Sequence, residues 1–374
     1  NYWAFTLTDG ALRMLVVLHF HTLGYSPLEV ALLFVFYEIF GVVTSLVGGW
    51  LGARIGLNRT MNIGLGLQVF ALGMLLVPST MLTVAWVMGA QAMSGIAKDL
   101  NKMSAKSAIK LLVPDKEQLT LYRWVALLTG SKNALKGGGF FLGGVLLTWL
   151  GFHHAVLVMA LFLALVWLAS LVTLRKELGK AKSKPKFSEM FSKSKAINTL
   201  SLARLFLFGA RDVWFVIALP VYLATNLGWD YWFVGSFLAS WVIGYGIVQA
   251  FAPRLTGIVE GKLPDGKSAF IWAAVLSVIP ALIALSMTAD TVPALVLPSG
   301  LLVFGALFAV NSSLHSYLIV SYADKDGVSM DVGFYYMANA MGRLIGTVLS
   351  GWVFQVYGMV ACLWVSALFV TLAA

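Results

Sequence analysis

The strongest constraint on this chain is the recurrence of apolar runs about 20 residues long. A run of that length can cross the ~30 Å hydrocarbon core of a bilayer as a single helix. Helices satisfy their own backbone hydrogen bonds, which the hydrocarbon interior requires. Only 11% of the residues are charged, compared with about 25% in ordinary soluble domains. The pattern predicts an all-α, polytopic membrane protein and excludes a set of soluble domains.

Twelve such runs can be distinguished along the chain. They cover residues 2–22, 28–50, 60–77, 81–103, 121–150, 152–174, 197–225, 231–252, 268–288, 294–318, 332–357 and 359 to the end. A polar segment with eight Lys or Arg and two acids divides them six and six. We therefore expect an N-terminal six-helix bundle (1–174), a basic linker (175–196) and a C-terminal six-helix bundle (197–374) that are pseudo-symmetric.

Lysine and arginine follow a simple rule between the predicted spans. Loops after odd-numbered spans, such as 24–27 and 78–80, carry neither residue. The loops after even-numbered spans, the linker aside, carry basic residues that include Arg54, Arg59, Lys110, Lys116, Arg254, Lys262, Lys267 and Lys325. The positive-inside rule then predicts that both termini and the linker lie in the cytoplasm. The linker charge sets this topology; contact with anionic lipid headgroups is a second possible role.

The two halves contain a repeated segment. Residues 142–151 resemble residues 349–358 in spacing and character. Parallel repeats of six spans place a substrate site at the interface of the halves, near the bilayer midplane. The same register aligns Lys136 with Arg343 and Lys132 with Asn339, and a weaker repeat aligns Gly95 with Gly305 and Asn101 with Asn311.

Lys132 and Lys136 lie one helical turn apart, near the middle of the fifth predicted span. Ionised groups at the bilayer centre cost roughly 2.5–3.5 kcal/mol or more, so they normally face a watery cavity or a partner. Glu38 is the obvious acidic partner, and a purely structural bridge is one interpretation. A single glutamate cannot balance both lysines and Arg343, so positive charge remains for an anionic substrate with phosphate-like groups.

Other charges in the spans allow two interpretations each. Asp9 and Arg13 have i, i+4 spacing. They either neutralise each other or serve substrate binding and coupling. Arg211, beside Asp212 in the seventh span, is expected to reach the cavity. Arg204 is expected to extend toward the cytoplasmic face.

A stripe of lysines marks the cytoplasmic end of the fourth span. Lys98, Lys102 and Lys106 recur at every fourth residue, with Asp99 beside them. They are either topology-setting charge on a helix end or an electrostatic funnel for a cytoplasmic anion.

Two further groups of residues complete the candidate site. Asn133 and Asn339 could hydrogen-bond between helices or contact the substrate. Intramembrane acids commonly carry protons in transporters, and the candidates for proton coupling or charge pairing are Asp9, Glu38, Asp99 and Asp212.

Several classes of function are not indicated. The single cysteine, Cys362, excludes an internal disulfide and a cysteine-based metal cluster. There is no catalytic constellation, no metal-ligand spacing and no phosphate-binding glycine loop, so we expect neither an enzyme, a cofactor nor an ATP-driven pump. The net charge of +10 lies mostly in loops between spans, which argues against nucleic-acid binding. Energy should come from a proton gradient or from exchange against an anionic counter-ion.

Two motifs and the six-plus-six arrangement resemble the major facilitator superfamily. Residues 49–59 are similar to its cytoplasmic signature, with Ala53 in place of the usual aspartate. Residues 139–144 are similar to an antiporter motif, with Phe140 in place of proline. Organophosphate antiporters of this superfamily use arginines in spans one and seven, which Arg13 and Arg211 resemble in placement.

Within that superfamily, the chain resembles the organoarsenical efflux (ArsJ-type) branch over its whole length. The resemblance is carried by residues 1–13, 95–106 and 130–136. It implies a monomer in the inner membrane of a bacterium that exports 1-arseno-3-phosphoglycerate and confers arsenate resistance. It also implies a functional link to glyceraldehyde-3-phosphate dehydrogenase, which forms that compound from arsenate. Export of another organic anion or a drug, and a non-transporting membrane sensor, remain as alternatives.

Overall fold

A computed structural model describes residues 1–24, 33–174, 178–182, 185–191, 194–256, 263–289 and 293–374. The first residues of the second predicted span (28–32), part of the basic linker, and the loop containing Lys262 lie outside the described residues.

The described residues form helices and contain no strand. The helices are α1 (Tyr2–Thr22), α2 (Val35–Ile55), α3 (Leu57–Met74), α4 (Val84–Leu112), α5 (Gln118–Thr173), α6 (Lys195–Phe215), α7 (Ala218–Thr225), α8 (Tyr231–Leu255), α9 (Gly266–Thr288), α10 (Pro293–Tyr322) and α11 (Val328–Ala373). Short 3₁₀ turns occupy Ser79–Met81 and Phe187–Phe191. Seven segments of the described chain are long and apolar enough to cross a membrane, which confirms the all-α membrane class.

The helix boundaries differ from the predicted ones where polar residues continue a helix. The fourth predicted span ends at Met103, but α4 continues to Leu112. Lys106 and Lys110 are buried on this extension, so packing against protein rather than apolarity keeps the last turns helical. Two helices are instead interrupted by glycines in the left-handed region: Gly151 (φ +71°) in α5 and Gly358 (φ +78°) in α11.

Gly151 and Gly358 are aligned by the predicted repeat, and they interrupt their helices in the same way. Asn101 and Asn311 agree with the weaker repeat. Each donates its side-chain N–H to the carbonyl four residues earlier, at 2.9 Å in α4 and 3.1 Å in α10. The sequence repeat therefore corresponds to a structural repeat.

The described chain divides into two compact units. Unit 1 comprises Asn1–Pro114, Ala134–Lys193 and Ala323–Met337, and unit 2 comprises Asp115–Asn133, Ser194–Tyr322 and Ala338–Ala374. Two of the boundaries between these units lie inside helices, one in α5 and one in α11. The predicted division at the basic linker stays a prediction.

Glycines allow helices to approach closely within each unit. In unit 1, a Cβ added at Gly10 would lie 2.7 Å from the carbonyl oxygen of Lys136, and one at Gly139 would lie 2.6 Å from that of Leu7. In unit 2, a Cβ at Gly346 would lie 2.7 Å from the carbonyl oxygen of Gly209. Small residues of this kind let membrane helices pack backbone to backbone. The α1–α5 contact of unit 1 thus has a counterpart between α6 and α11 in unit 2.

The core of each unit is apolar. In unit 1, Phe5, Leu12 and Leu15 of α1 are buried among residues of the neighbouring helices. In unit 2, the fully buried Trp214 makes edge-to-face contacts with Trp241 and Phe304. Such geometry is favoured by the quadrupoles of aromatic rings.

A hydrogen-bonded chain of polar side chains joins five helices of unit 2, and we call it the five-helix polar network. Arg204 Nε donates to Asn339 Oδ1 (2.8 Å), and Arg204 Nη1 donates to the Ser312 hydroxyl (3.1 Å). Gln249 Nε2 donates to the same hydroxyl (3.0 Å), and Asn133 Nδ2 donates to Gln249 Oε1 (2.7 Å). Arg204 is only 2% exposed, so the prediction that it extends to the cytoplasmic face is wrong. Hydrogen-bond partners on α10 and α11 replace water for its guanidinium.

Within unit 1, part of the linker packs against α2 and the turn that follows it. The N–H of Ala181 donates to the carbonyl of Ala53 (2.8 Å), and the N–H of Leu57 donates to that of Leu178 (2.7 Å). Trp50 Nε1 also donates to the carbonyl of Pro185 (3.0 Å). The described linker segments are therefore held by the turn between α2 and α3.

Replacing Gly139 with alanine should destabilise unit 1. The added Cβ would meet a carbonyl oxygen of α1 at 2.6 Å, so the two helices must separate. The adjacent Gly138 is a matched control, because a Cβ there meets nothing within 4 Å. In detergent, we expect Gly139→Ala to lower the apparent melting temperature. Gly138→Ala should leave it unchanged or raise it, since alanine favours helix by about 1 kcal/mol. Equal melting temperatures for the two variants would contradict the close approach.

Replacing Arg204 with alanine should destabilise unit 2. Hydrogen bonds from a charged donor contribute about 1.5–3 kcal/mol each, and the buried groups of Asn339 and Ser312 would each lose the bond from Arg204. Exposed Arg254 provides the control, because surface substitutions usually change stability by less than about 0.5 kcal/mol. Thermal unfolding should show a large decrease for Arg204→Ala and almost none for Arg254→Ala.

Candidate functional site

Asp9 lies on α1 in the interior of unit 1 and is 5% exposed. The hydroxyl of Tyr37 on α2 lies 2.9 Å and 3.1 Å from its two carboxylate oxygens. Tyr37 is held in place by α4, because a Cβ at Gly95 would lie 2.6 Å from the Tyr37 carbonyl oxygen. The α2–α4 contact therefore positions the donor that holds Asp9.

Arg13, one turn after Asp9, pairs with a different acid. Its Nη1 lies 3.7 Å from Glu38 Oε1, and its guanidinium lies over the rings of Phe34 (4.9 Å) and Tyr37 (5.5 Å). The expected local pair with Asp9 is therefore not the arrangement found. Tertiary packing of α2 against α1 offers Arg13 a carboxylate and two aromatic faces at once.

Asp99 on α4 lies between two lysines of the same helix and is 1% exposed. It forms an ion pair with Lys102, and Lys98 Nζ lies 3.8 Å from its second oxygen. Lys98 also lies 3.7 Å from the centroid of the Tyr37 ring. Gly41 leaves room for this cluster, since a Cβ there would lie 2.7 Å from Asp99 Oδ2.

The rest of the lysine stripe lies against an aromatic side chain of unit 1. Lys102 and Lys106 approach the ring of Tyr336, at 4.6 Å and 5.1 Å from its centroid. Lys106 is 1% exposed. This stripe is largely enclosed by protein, and its role as a funnel stays a prediction.

Lys132 and Lys136 are half-buried on α5. The backbone of Lys136 forms the surface on which Gly10 packs. The close α1–α5 contact therefore fixes the backbone position of Lys136. This residue lies beside the turn of α1 that carries Asp9 and Arg13.

In unit 2, Asp212 binds two arginines, and we call these three residues the arginine clamp. Arg211 places its Nε 2.6 Å from Asp212 Oδ1 and its Nη2 2.5 Å from the same oxygen. Arg343 Nε donates to the other oxygen, Oδ2, at 3.1 Å. Asp212 is fully buried, whereas the side chains of Arg211 and Arg343 are 15% and 29% exposed. One buried carboxylate thus orients two more accessible guanidinium groups.

Aromatic rings confine the Arg211 side of the clamp. The Arg211 guanidinium lies 4.9 Å from the Phe208 ring, 5.5 Å from the Phe308 ring and 5.8 Å from the Phe215 ring. These rings restrict the rotamers of Arg211, so its guanidinium is held between Asp212 and the aromatic faces.

Asn133 and Asn339 both belong to the five-helix polar network, where they contact Gln249 and Arg204. Sequence reasoning missed Tyr37, Gln249 and Ser312 as members of the charged and polar clusters. Aromatic and neutral polar residues within apolar helices carry no spacing signal, and only the contacts between helices show their role. In the described part of the chain, no group of His, Cys, Asp and Glu could hold a metal ion.

Comparison with known proteins bears on the identity of the chain. The Major Facilitator Superfamily profile matches residues 1–326. No curated protein sequence matched the chain.

Solved structures give the same fold. The chain is similar to the fucose:proton symporter FucP of E. coli, with a TM-score of 0.75 and 13% identity over 100% of this chain and 94% of that one. It is similar to the human organic anion transporter MFSD10 (TM-score 0.76, 16% identity, 100% and 96% coverage). It is also similar to the proton:xylose symporter XylE (TM-score 0.76, 12% identity, 100% and 92% coverage). With the profile match over most of its length, the chain belongs to the major facilitator superfamily and is a multi-pass membrane transporter.

Proposed function

We propose that this transporter exports an anionic organoarsenical or organophosphate, specifically 1-arseno-3-phosphoglycerate, by alternating access. It acts as a monomer in the inner membrane of a bacterium, with both termini in the cytoplasm. The dehydrogenase that makes glycolytic acyl phosphates would supply the compound when arsenate replaces phosphate. Removing it from the cytoplasm would confer arsenate resistance.

The arginine clamp is the observation that carries this proposal. Arginine binds phosphate and arsenate oxyanions through a planar fork of N–H donors. In the clamp, both guanidinium groups are bonded to the same carboxylate, so their orientation is fixed before a ligand arrives. A preoriented pair binds an oxyanion without the cost of ordering two long side chains.

Three other basic residues belong to the proposed site. Arg13 and Lys136 of unit 1 and Lys132 of unit 2 add three positive charges to the two of the clamp. The acids among these residues are Asp9, Glu38 and Asp212, so formal positive charge exceeds negative charge by two. An ester with two oxyanion groups matches that excess.

The remaining predicted site residues take supporting roles in the proposal. Asn133 and Asn339 position the helices through the five-helix polar network. Asp99 neutralises one of the two positive charges of Lys98 and Lys102, and with Lys106 these lysines contribute a positive potential on α4.

Export of a different small organic anion is the second candidate. The clamp and the lysines recognise oxyanions in general and do not discriminate arsenate from phosphate. The similarity in fold to an organic anion transporter agrees with this class as well. The arsenic-specific form depends on the resemblance to the organoarsenical branch. A cationic drug is disfavoured by the excess of positive charge, and transporter family membership disfavours a non-transporting sensor.

Everted membrane vesicles test the substrate directly. Vesicles from cells that make this protein should accumulate labelled 1-arseno-3-phosphoglycerate, generated in the medium by the dehydrogenase from arsenate. Vesicles without the protein should not. Accumulation of labelled 3-phosphoglycerate but not of the arsenylated compound would favour the second candidate, and accumulation of neither would contradict anion export.

Neutralising both lysines of α5 should abolish transport without unfolding the protein. The Lys132→Met, Lys136→Met double variant keeps the length and apolar stem of both side chains and removes two positive charges. We expect at least a tenfold loss of uptake, because one lost charge-assisted contact costs about 1.5–3 kcal/mol. Wild-type transport by a folded double variant would show that the lysines have only a structural role.

The clamp predicts that arginine geometry matters as well as charge. Arg343→Lys keeps the charge but cannot reproduce both the Nε bond to Asp212 and a fork toward an oxyanion. We expect a rise in KM of about tenfold or more, corresponding to roughly 1.4 kcal/mol. Arg254→Lys, at an exposed position, should leave KM unchanged. An unchanged KM for Arg343→Lys would exclude the clamp from substrate binding.

A further inference from the structure

The basic linker is a feature of the sequence that the proposed function does not use. Within it lies the 3₁₀ turn Phe187–Phe191, which we call the aromatic turn. Met190 of this turn is 1% exposed and packs with Ala53 of α2 and Met330 of α11. Phe187 and Phe191 are instead 57% and 61% exposed. The turn therefore has one face fixed on unit 1 and one aromatic face that unit 1 leaves uncovered.

The contact with α2 fixes the level of the aromatic turn relative to the bilayer. α2 is one of the segments long and apolar enough to cross a membrane, and Trp50 lies near its end, where tryptophan favours the membrane–water interface. The rings of Phe187 and Trp50 meet edge to face, with 5.7 Å between centroids. Trp50 Nε1 also donates to the carbonyl of Pro185 (3.0 Å). The uncovered phenylalanine rings therefore lie at the end of a membrane-spanning helix, which is the level of lipid headgroups.

Basic side chains border the aromatic face. Lys182 and Lys186 are exposed just before the turn. The Arg54 guanidinium lies 5.1 Å from the centroid of the Trp50 ring, so it adjoins the same ring that Phe187 contacts. Aromatic rings bordered by cations suit a membrane interface, because the rings enter the headgroup–acyl boundary while the cations pair with anionic headgroups.

Acidic residues are also present on these segments, but basic residues exceed them. The carboxylates of Asp326 and Glu189 accept the backbone N–H groups of Lys182 (2.9 Å) and Lys186 (3.2 Å). These bonds engage the backbone and not the lysine ammonium groups. The charged residues described in the linker and the segments it touches are Arg54, Arg59, Lys180, Lys182, Lys186 and Lys325 against Glu189, Asp324, Asp326 and Asp331. The surplus of two positive charges complements an anionic surface.

We propose that the aromatic turn and its bordering cations bind anionic phospholipids of the cytoplasmic leaflet. Phe187 and Phe191 enter the headgroup–acyl boundary, and Lys182, Lys186 and Arg54 pair with the lipid phosphates. Lipid contact was the second role that the linker charge allowed, and the structure assigns it to particular residues. The inference goes beyond the proposed function and does not depend on which substrate is transported.

Native mass spectrometry of the purified full-length protein in detergent tests the lipid preference. The probes are phosphatidylglycerol and phosphatidylcholine with the same acyl chains. We expect wild type to bind phosphatidylglycerol at least about tenfold more tightly, because each basic residue near an anionic surface contributes about fivefold. Lys182→Gln, Lys186→Gln should lose most of this preference. An equal preference in wild type and this double variant would overturn the proposal.

A second pair of exposed lysines provides the matched control. Lys116→Gln, Lys267→Gln removes the same two charges from other loops. We expect this variant to keep the wild-type preference for phosphatidylglycerol. An equal loss in the two double variants would show that net charge alone attracts the lipid, which contradicts a site at the aromatic turn.

Spin labelling measures whether the aromatic turn enters the bilayer. The label is attached to Ser188→Cys in a Cys362→Ala background, which removes the single native cysteine and keeps both phenylalanines. In bilayers that contain phosphatidylglycerol, we expect this label to collide with dissolved oxygen and to be shielded from a water-soluble nickel complex. A label on Lys116→Cys, in an exposed loop, should be accessible to the nickel complex. Equal nickel accessibility at the two positions would overturn the proposal.

Two other occupants of the aromatic face give different results in the same experiment. A second copy of the chain would shield the Ser188→Cys label in lipid-free detergent and broaden its spectrum by spin–spin coupling. An acidic soluble protein would leave the label on the purified protein accessible to the nickel complex in every bilayer. Either result would overturn the assignment to lipid.

Discussion

The structure depends on one constraint, which is that an ionised side chain in a membrane helix must find groups that replace water. Asp212 meets it with two arginines, Asp99 with two lysines and Arg204 with neutral acceptors on two other helices. The contacts of Asp212 and Arg204 fix side chains of different helices relative to one another, whereas the Asp99 cluster lies within α4. The same contacts that permit charge inside the protein therefore also order the helices within each unit.

Close helix contacts make these solutions possible. Glycines at the α1–α5 contact and at the α6–α11 contact bring backbones together. The backbone positions of the charged residues on those helices are therefore closely defined. The two contacts occur at equivalent places in the two units, as expected if a six-helix repeat was duplicated. Duplication did not conserve the chemistry, however. One unit carries an aspartate held by a tyrosine, and the other carries an aspartate held by two arginines.

Much of the fold follows from periodic and local signals. Apolar run length predicts the helices, since no other regular structure satisfies its backbone in a single membrane-crossing segment. The aligned Gly151 and Gly358 were visible as a repeat because a left-handed backbone conformation favours glycine. Predicted helix ends were less accurate where packing continues a polar helix, as it does beyond Met103 in α4.

The sequence by itself determined which residues carry charge in the membrane and that their total is positive. Only the tertiary structure decided the partners. Arg13 pairs with Glu38 rather than with Asp9, and Arg204 is buried rather than extended to the surface. The spacing of residues along one helix indicates only those ion-pair partners that lie one turn away. The competing partners lie on other helices, where a lower dielectric and shared aromatic faces outweigh the local pair.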